Sequence, residues 1–527
     1  MFRFGFSYVG FIYLLMLFIP NILWTKQKPA DYEQYVQREN KVLQMLERIG
    51  EVAVCCCVLI FSDFNIRTDS VWCIWLLLSF LLMLLYEAYW VGYFRSEKNM
   101  SDFYRSFCGF PAAGATLPVC AFFLLGIYGS NVFLLVADTI LGIGHICIHL
   151  QHRNEIVSGS KRRLPVRILK RAAGSIGILF IAISIFITGC RNVNYFNHYR
   201  MIGQGVDEGT YVTLCGQEQY VLMRGMNNSN PVIIYLHGGP ASPDTYVTYG
   251  FTDSLIEDYT VVAWDQRGCG RTYFHNAEDD PDRLTADFEQ AKADLDELVD
   301  HVLERFGKEQ VILLGHSYGT ILGSQYALEH PDKVAAYIGT AQVISIEKAD
   351  IYSYEDAMKK AVDAGDDTSG LEEAFQTFQT SGDIMDMMKL RSLTSEYHPV
   401  SISDKSVWMA VTSPYVGLDD LRWLLKQSDD MRAFFSLNAP LFEYVLTFDA
   451  GANGAEYEMP VYFISGTCDW ICPVDSIREY AETVSAPDVQ MELIEGCGHN
   501  VQYSSPEEFA DAVRKVLQRC GGIARKF

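Results

Sequence analysis

The turn that decides the fold of this chain lies in Val311-Ile312-Leu313-Leu314-Gly315-His316-Ser317-Tyr318-Gly319. Its first four residues are a short apolar run, which predicts a strand buried on both faces of a sheet. A helix is predicted at 319–330, so the Gly-x-Ser-x-Gly segment at 315–319 forms the turn between strand and helix. Glycine at both ends allows the sharp turn, because a side chain at either position would clash. The turn would place Ser317 above the sheet at a helix N-terminus, where the helix dipole favours negative charge.

The same kind of apolar run recurs along the second half of the chain. Further buried strands are predicted at 232–236, 261–264 and 461–464, and another strand near 489–495, after two early strands within 209–225. Helices are predicted at 285–306, 319–330, 474–485 and 505–519, and the first of them is expected to open at Thr285. Strands that alternate with helices in this way predict a doubly wound, mostly parallel α/β sheet.

Three side chains that can cooperate in nucleophilic catalysis follow strands of this predicted sheet. Ser317, Asp469 and His499 each come directly after one of the strands. Ligands bind at the carboxyl ends of parallel strands, so we expect these side chains to meet there. A serine hydroxyl needs a base such as His499, and the base needs an acid that fixes its tautomer. Asp475 is the rival acid, but its place in a predicted helix start ranks it below Asp469.

The order Ser317, Asp469, His499 along the chain is the order of a catalytic triad on the α/β-hydrolase fold. The oxyanion of such an enzyme is held by backbone N–H groups. We expect one from Tyr318 and one from Gly238 or Gly239, with Gly239 preferred. A serine at position 317 speaks against epoxide hydrolases and haloalkane dehalogenases, relatives on this fold that use a carboxylate nucleophile. The predicted mechanism requires no cofactor and no metal ion.

Three motifs lie at the carboxyl ends of the predicted strands. They are His-Gly-Gly-Pro at 237–240, Asp-Gln-Arg-Gly-Cys-Gly-Arg at 265–271 and Gly-His-Ser-Tyr-Gly at 315–319. Together they resemble the prolyl aminopeptidase (proline iminopeptidase) branch of the α/β-hydrolases. The resemblance covers about 205–527 and implies an aminopeptidase that releases N-terminal residues, proline among them, from short peptides. One departure is Ala241, which stands where that branch usually has a glycine.

The resemblance also implies a helical cap, expected at about 343–455 before the strand at 461. Aminopeptidases of the branch bind the free amine of the substrate with acidic cap residues near tryptophan-rich stretches. The acidic candidates in this cap are Glu347, Glu355, Glu372, Glu373 and Glu396, and its tryptophans are Trp408 and Trp423. Acidic residues of this kind are more often simply solvated helix faces. The sequence therefore does not match the amine-binding residues one by one.

Two other functions are compatible with the same residues. In the first, the triad hydrolyses an ester that comes from the membrane, as an esterase or lipase does. In the second, the membrane-spanning segments act as a sensor or a transporter, and the hydrolase fold binds a ligand without turning it over. The complete set of nucleophile, base and acid favours an enzyme over this second alternative.

Residues 1–190 differ from the rest of the chain because they consist of repeated long apolar runs. Six membrane spans are predicted at about 5–24, 49–66, 71–94, 109–128, 131–150 and 172–189. The second is weak, since it carries Glu51 and Asp63 near its ends. With six spans, nearly all Lys and Arg residues of the loops fall on one side, and positively charged loops stay in the cytoplasm. We therefore expect a multi-pass protein of the cell membrane with an extracytoplasmic hydrolase domain.

The formal net charge of the 527-residue chain is −23, and the negative charge is concentrated in 191–527. A protein that binds nucleic acid needs a basic surface, so nucleic acid is not an expected partner. The same charge argues against this domain lying flat on anionic lipid. The expected partners are a small peptide or ester substrate and the lipid bilayer around the spans.

Two cysteine patterns allow more than one interpretation. The last apolar run ends in Ile187-Thr188-Gly189-Cys190, which resembles a bacterial lipoprotein signal. A plain sixth span with a chance cysteine is favoured over processing and lipidation at Cys190. Cys468 and Cys497 flank two triad residues, which makes a disulfide conceivable, although free thiols are favoured.

Asp138, His145, His149 and His152 fall at helical spacing along the fifth predicted span. Ionisable groups inside a bilayer are costly and often functional, so a metal or proton site is one interpretation. The other is structural, because polar side chains near the end of a span can reach the interface.

Overall fold

The computed structural model describes residues 3–29, 32–36, 39–67, 73–156, 164–201, 205–280, 283, 285–452 and 455–519. The chain forms two compact units, Met1–Asn197 and His198–Phe527. Among the described residues, the first unit is helical, and the second contains a sheet covered by helices.

The sheet of the second unit has eight strands in the order β1-β2-β4-β3-β5-β6-β7-β8. The strands are β1 Val206–Leu214, β2 Gln217–Gly225, β3 Val232–Leu236, β4 Thr260–Trp264, β5 Val311–His316, β6 Val334–Thr340, β7 Val461–Gly466 and β8 Val489–Ile494. β1 and β2 are antiparallel to their neighbours, and the other pairs are parallel. This is the α/β-hydrolase fold that the sequence predicted.

The helices of the first unit are α1 Tyr8–Thr25, α2 Tyr32–Val36, α3 Lys41–Ile60, α4 Cys73–Phe94, α5 Met100–Phe103, α6 Ala113–Tyr128, α7 Val132–Ile156 and α8 Leu164–Met201. Those of the second unit before the cap are α9 Tyr249–Thr252, α10 Gly270–His275, α11 Phe288–Phe306 and α12 Tyr318–Glu329. The cap helices are α13 Ile346–Ala364, α14 Ser369–Ser381, α15 Ile384–Thr394, α16 Ser406–Thr412, α17 Leu418–Asp429, α18 Met431–Leu437 and α19 Ala439–Thr447. After β7 come α20 Val474–Thr483, α21 Val501–Ser504 and α22 Pro506–Arg519.

Strand β6 was not predicted from the sequence. Its seven residues, Val334 to Thr340, are all buried between β5 and β7. The run contains Ala335, Ala336 and Gly339, which give a weak β signal when read alone. The strand forms because the sheet supplies hydrogen-bonding neighbours on both sides.

The start of α11 differs from the sequence prediction. The helix was expected to open at Thr285, but its N-cap is Asp287, whose side chain accepts a hydrogen bond from the N–H of Gln290 at 2.8 Å. Aspartate at this position satisfies an otherwise free N–H of the first turn. Thr285 instead donates its hydroxyl to Asp280 at 2.6 Å. The prediction was wrong because Thr285 and Asp287 can both cap a helix. The side chain of Thr285 is hydrogen-bonded within the preceding loop, which leaves Asp287 as the cap.

Both faces of the sheet are covered, which explains why its parallel strands are apolar throughout. On one face, α11, α12 and α20 contribute buried side chains such as Leu298, Ile321 and Ile477. On the other face, α9 and α22 contribute Phe251 and Val513. The carboxyl ends of the strands remain uncovered by these layers, and the cap helices follow β6 at that edge.

A buried ion pair fixes the loop after β4 to α11. Arg267 donates to the two carboxylate oxygens of Asp294 at 2.7 and 2.8 Å, and both side chains are buried. Gln219 donates to the same carboxylate at 2.8 Å and accepts from Trp264 at 2.9 Å. Arg267 also donates to the carbonyl of Leu214 at 3.2 Å. The motif at 265–271 thereby acquires a structural role that links β1, β2, β4 and α11.

Among the described residues of the first unit, four helices are long and apolar enough to cross a membrane. They are Tyr8–Thr25, Cys73–Phe94, Val132–Arg153 and Gly177–Phe196. Helix α6 is apolar but has 16 residues, and α3 begins eight residues before the span predicted at 49–66. Cys190 lies inside the continuous helix α8. The six-span arrangement, its orientation and lipidation at Cys190 stay predictions.

We expect Asp294→Asn to lower the free energy of unfolding of the hydrolase unit by about 3–5 kcal/mol, because Arg267 would remain buried without its counter-charge. The measurement is pulse proteolysis of the full chain in detergent over a urea series, followed by a C-terminal tag. Asp258→Asn is the matched control, since Asp258 pairs with Arg514 at an exposed position. Its effect should stay below about 1 kcal/mol. Equal losses in the two variants would contradict the role of the buried pair.

Candidate active site

The turn between β5 and α12 holds Ser317 in a backbone conformation that L-residues rarely adopt, with φ 51° and ψ −120°. A Cβ atom at Gly319 would lie 2.1 Å from the carbonyl oxygen of Leu236 in β3. A Cβ atom at Gly315 would lie 2.5 Å from the carbonyl oxygen of Gly319. Both glycines are therefore required by close backbone contacts, as the sequence predicted for a nucleophile elbow.

The structure brings the three predicted catalytic side chains together. His499 Nε2 lies 2.9 Å from Ser317 Oγ. On its other side, His499 Nδ1 lies 3.0 Å from one carboxylate oxygen of Asp469 and 3.2 Å from the other. The side chain of Asp469 is buried, while Ser317 and His499 are partly exposed. This is the geometry of a nucleophile, a base and an acid that orients the base.

Backbone hydrogen bonds hold the acid in its position. Asp469 Oδ1 accepts from the N–H groups of Ile471 and Cys472, each at 3.0 Å. The N–H of Cys468 donates to the carbonyl of Cys497 at 2.8 Å, which ties the loop of the acid to the loop of the base. Cys468 and Cys497 are free thiols, so this backbone contact joins the loops without a disulfide.

A second histidine supports the base. His316 Nε2 donates to the backbone carbonyl of His499 at 3.1 Å. Burial lowers the pKa of His316 to about 3, so its ring stays neutral beside the triad. Sequence reasoning assigned no role to His316, because a histidine inside a nucleophile motif gives no signal of where its ring points.

The rival acid lies elsewhere. Asp475 is in the first turn of α20, where it accepts from the Tyr352 hydroxyl at 2.9 Å and from Arg478 at 2.6 Å. Its side chain is 54% exposed. Asp469 is therefore the carboxylate that contacts His499, and the sequence ranking of the two acids agrees with the structure.

The expected oxyanion donors border the same cavity as the nucleophile. Tyr318 is the first residue of α12, so its N–H has no acceptor within the helix. Gly239 lines the cavity together with Ser317 and Tyr318. Gly238 lies behind it, where an added Cβ would be 2.9 Å from the His316 ring and 3.2 Å from Ser317 Cβ. The choice of Gly239 over Gly238 stays a prediction.

Ala241 has φ 58°, a left-handed conformation that explains why glycine is usual at this position. The residue is buried, and its carbonyl accepts from the indole N–H of Trp423 at 2.9 Å and from the Gln427 amide at 3.1 Å. Both donors lie on α17 of the cap. The sequence could not reveal this contact, since the two partners are about 180 residues apart.

A cavity of about 350 Å³ opens at Ser317 between the sheet edge and the cap. It is lined by Gly239, Pro240, Ser242, Ser317, Tyr318, Val343, Ile346, Ile384, Met387, Met388, Arg391, Gln427, Met431, Phe434, Phe435, Phe442, Val445, Leu446, Ile471 and Cys472. Arg391 is the charged member of this lining, and it donates to the buried carboxylate of Asp350 at 2.7 and 3.2 Å. The space next to the nucleophile is therefore mostly apolar.

The five acidic cap residues considered as amine ligands do not line this cavity. Each is exposed to solvent on the outside of the cap: Glu347, Glu355, Glu372, Glu373 and Glu396. Trp408 is 50% exposed, whereas Trp423 is buried and donates its indole N–H to the carbonyl of Ala241. The interpretation of these glutamates as amine-binding residues is not supported, and their charge is that of solvated helix faces.

Sequence comparisons find relatives of this chain whose names denote several different activities. "Probable aminopeptidase YbaC" of Bacillus subtilis is 24% identical over 315 residues, 56% of this chain and 92% of that protein. "Proline iminopeptidase" of Saccharolobus solfataricus is 31% identical over 154 residues, 29% of this chain and 46% of that protein. "Epoxide hydrolase 1" of Caenorhabditis elegans is 23% identical over 310 residues, 56% of this chain and 66% of that protein.

Among solved structures, the proline iminopeptidase of Mycobacterium smegmatis matches with 19% identity and a TM-score of 0.43, covering 59% of this chain and 98% of that one. The sequence model of the alpha/beta hydrolase family matches residues 233–512. That match spans more than half of the chain and includes all three triad residues. The chain therefore belongs to the alpha/beta hydrolase family.

Proposed function

We propose that this chain is a membrane-anchored serine hydrolase that forms an acyl-enzyme on Ser317. The observation that carries the proposal is the continuous hydrogen-bonded arrangement of Ser317, His499 and Asp469, with 2.9 Å between the hydroxyl and the imidazole. The residue in the elbow is a serine, which speaks against the carboxylate nucleophile expected of epoxide hydrolases.

In the proposed reaction, His499 takes the proton of Ser317 as the hydroxyl attacks the carbonyl carbon of the substrate. The imidazolium formed is stabilised and oriented by Asp469. The N–H groups of Tyr318 and Gly239 stabilise the oxyanion. His499 then protonates the leaving group, and the acyl-enzyme is hydrolysed by a water molecule that His499 activates.

The cavity suggests that the group held beside Ser317 is small and apolar. Its volume of about 350 Å³ and its methionine and phenylalanine side chains suit an acyl group of one or two residues. Gln427 also lines the cavity, and its amide N–H donates to the carbonyl of Ala241 and to the hydroxyl of Ser242. A substrate with an uncharged or weakly polar acyl part fits these contacts.

The leading substrate class is a short peptide with an apolar N-terminal residue, proline among them. This assignment is supported by the three motifs of the aminopeptidase branch and by the relatives named as aminopeptidase and proline iminopeptidase. The ammonium group of such a substrate would face neutral acceptors such as Gln427 rather than a carboxylate.

An ester is the second candidate substrate, and a specific observation favours it. Among the described residues that line the cavity, none is Asp or Glu. Binding a free ammonium group in an apolar site without an anionic partner is costly. An acyl ester carries no such charge and would enter the same cavity without this penalty.

The location proposed for the hydrolase unit is outside the cytoplasm. The support comes from the basic residues before α8 and within its first turns: Arg153, Lys161, Arg162, Arg163, Arg167, Lys170 and Arg171. Such segments stay in the cytoplasm, and the apolar part of α8, Gly177–Phe196, would carry the chain to the other side.

We expect Ser317→Ala to abolish hydrolysis, with a loss of about 10⁶-fold, and Asp469→Asn to reduce kcat by about 10⁴-fold because His499 would lose its correct tautomer. The measurements are hydrolysis of activated esters and labelling by a fluorophosphonate probe. Asp475→Asn is the matched control and should retain activity. Equal labelling of the wild type and Ser317→Ala would contradict the nucleophile and favour a sensor or transporter.

A substrate panel separates the two candidate substrates. It pairs prolyl, alanyl and glutamyl anilides with free and acetylated N-termini and adds short-chain aryl esters. The aminopeptidase proposal predicts turnover of free prolyl or alanyl anilides over glutamyl anilide, and loss of turnover upon acetylation. If the protein hydrolyses only the acetylated substrates and the esters, the aminopeptidase proposal is overturned and the esterase is favoured.

Reporter fusions test the orientation. Alkaline phosphatase joined after Phe527 should be active, because the reporter folds outside the cytoplasm, and a fluorescent protein that folds only in the cytoplasm should be dark there. The matched control joins the same reporters after Ile156, in a predicted cytoplasmic loop, and the pattern should reverse. Fluorescence from the fusion after Phe527 would contradict the proposed location.

A further inference from the structure

Two helices of the first unit approach each other more closely than side chains would permit. A Cβ atom at Gly50 in α3 would lie 2.4 Å from the backbone N of Leu141 in α7. A Cβ atom at Gly144 in α7 would lie 2.4 Å from the backbone N of Glu47 in α3. The two glycines therefore allow the backbones of α3 and α7 to pack directly against each other. Side chains near the glycines on the two helices then lie within hydrogen-bond distance of one another.

Three ionisable side chains meet at this crossing. His145 Nδ1 and Glu47 Oε1 form a hydrogen bond between α7 and α3. The rings of His145 and His149, one turn apart on α7, have centroids 4.4 Å apart. The ligand atoms of Glu47, His145 and His149 all lie within 4.8 Å of one another, and each residue is partly buried. The cluster joins two helices, although the sequence pattern indicated one helix face.

The other two residues of the sequence pattern are placed differently. His152 is buried, with Nδ1 2.7 Å from the hydroxyl of Tyr104 and Nε2 3.5 Å from a carboxylate oxygen of Glu39. Asp138 is fully buried and lies outside the group. The candidate site therefore consists of Glu47, His145 and His149, and His152 belongs to its surroundings.

The charge around the cluster favours a cation. Glu47, His145 and His149 line a cavity of about 650 Å³ together with Glu51, which is one turn from Glu47. Among the described residues that line this cavity, none is Lys or Arg. Two carboxylates in an apolar helical bundle are costly unless a positive charge accompanies them.

We propose that Glu47, His145 and His149 bind a divalent transition-metal ion of the Zn²⁺ class. Two imidazoles and a carboxylate are ligands that Zn²⁺ prefers, and histidines four residues apart on a helix present both rings to one ion. Ligands of a tetrahedral Zn²⁺ stand roughly 3.3 Å apart, so small side-chain rotations suffice to close the site. Three protein ligands would leave a fourth coordination position for water or a small ligand, as in catalytic zinc sites.

The test measures metal binding by the full chain in detergent. After chelation, the protein is loaded with Zn²⁺ or Co²⁺ and its metal content and Co²⁺ absorption are recorded. We expect one tightly bound ion per chain, with affinity lowered by about 100-fold or more in Glu47→Gln and His149→Gln. His275→Gln changes an exposed histidine of the hydrolase unit, so it is the matched control and should bind normally.

His499→Gln is a second control, because Asp469, Cys472 and His499 form another group of close ligand atoms in the triad. Loss of the ion in this variant alone would overturn the proposal, as would the absence of tight binding or unchanged affinity in His149→Gln. A site that binds protons and no metal gives that same negative outcome.

The variant His149→Cys distinguishes the loss of a metal ligand from misfolding of the protein. It replaces one metal ligand by another, so binding should be restored relative to His149→Gln, and Co²⁺ should gain a thiolate charge-transfer band. Restored binding without that band would place the ion elsewhere and contradict the proposal. All readouts are independent of hydrolysis, so this test and that of the serine hydrolase can fail separately.

Discussion

The contact on which the active site depends is the approach of Gly319 to the carbonyl of Leu236. With room for only a hydrogen atom at position 319, helix α12 lies directly against the end of β3. Because β3 and β5 are neighbours, this contact sets the distance between the elbow after β5 and the His-Gly-Gly-Pro loop after β3. Ser317, Tyr318 and Gly239 come from these two segments and line one cavity. A single glycine contact therefore places the nucleophile beside the groups that would stabilise its oxyanion.

The cap is connected to the same loop through hydrogen bonds from α17 to Ala241. Ala241 holds an unfavourable left-handed conformation, and Trp423 and Gln427 of α17 bind its carbonyl. Strained residues persist when their surroundings fix them. The strained alanine is stabilised by the cap, since it belongs to one apolar cluster with Trp423 and Phe434. Movement of α17 would change the loop that carries Gly239.

The parts of the site that the sequence predicted are those set by local rules. Strand-end position and chain order were enough to select Ser317, Asp469 and His499, because the ends of parallel strands share one edge. Strand β6 was missed, since its alanines and glycine become a strand only between two neighbours. The cap glutamates were considered as ligands because a sequence gives the charge of a side chain but not where that side chain points. In the structure these side chains are exposed to solvent. The roles of His316 and Trp423 depend on contacts with residues more than 180 positions away in the sequence. The spacing of residues within one helix or strand cannot predict such contacts.

The first unit, Met1–Asn197, shows how far spacing within one helix can predict a site. Helical spacing grouped four ionisable residues on α7, yet the cluster that forms contains two of them and Glu47 from α3. Spacing within one helix identifies a face but not the partner that the face meets. Gly50 and Gly144 supply that information, because each permits a backbone contact that no larger residue allows. In both units, the polar groups of the site lie next to glycines that let two backbones touch.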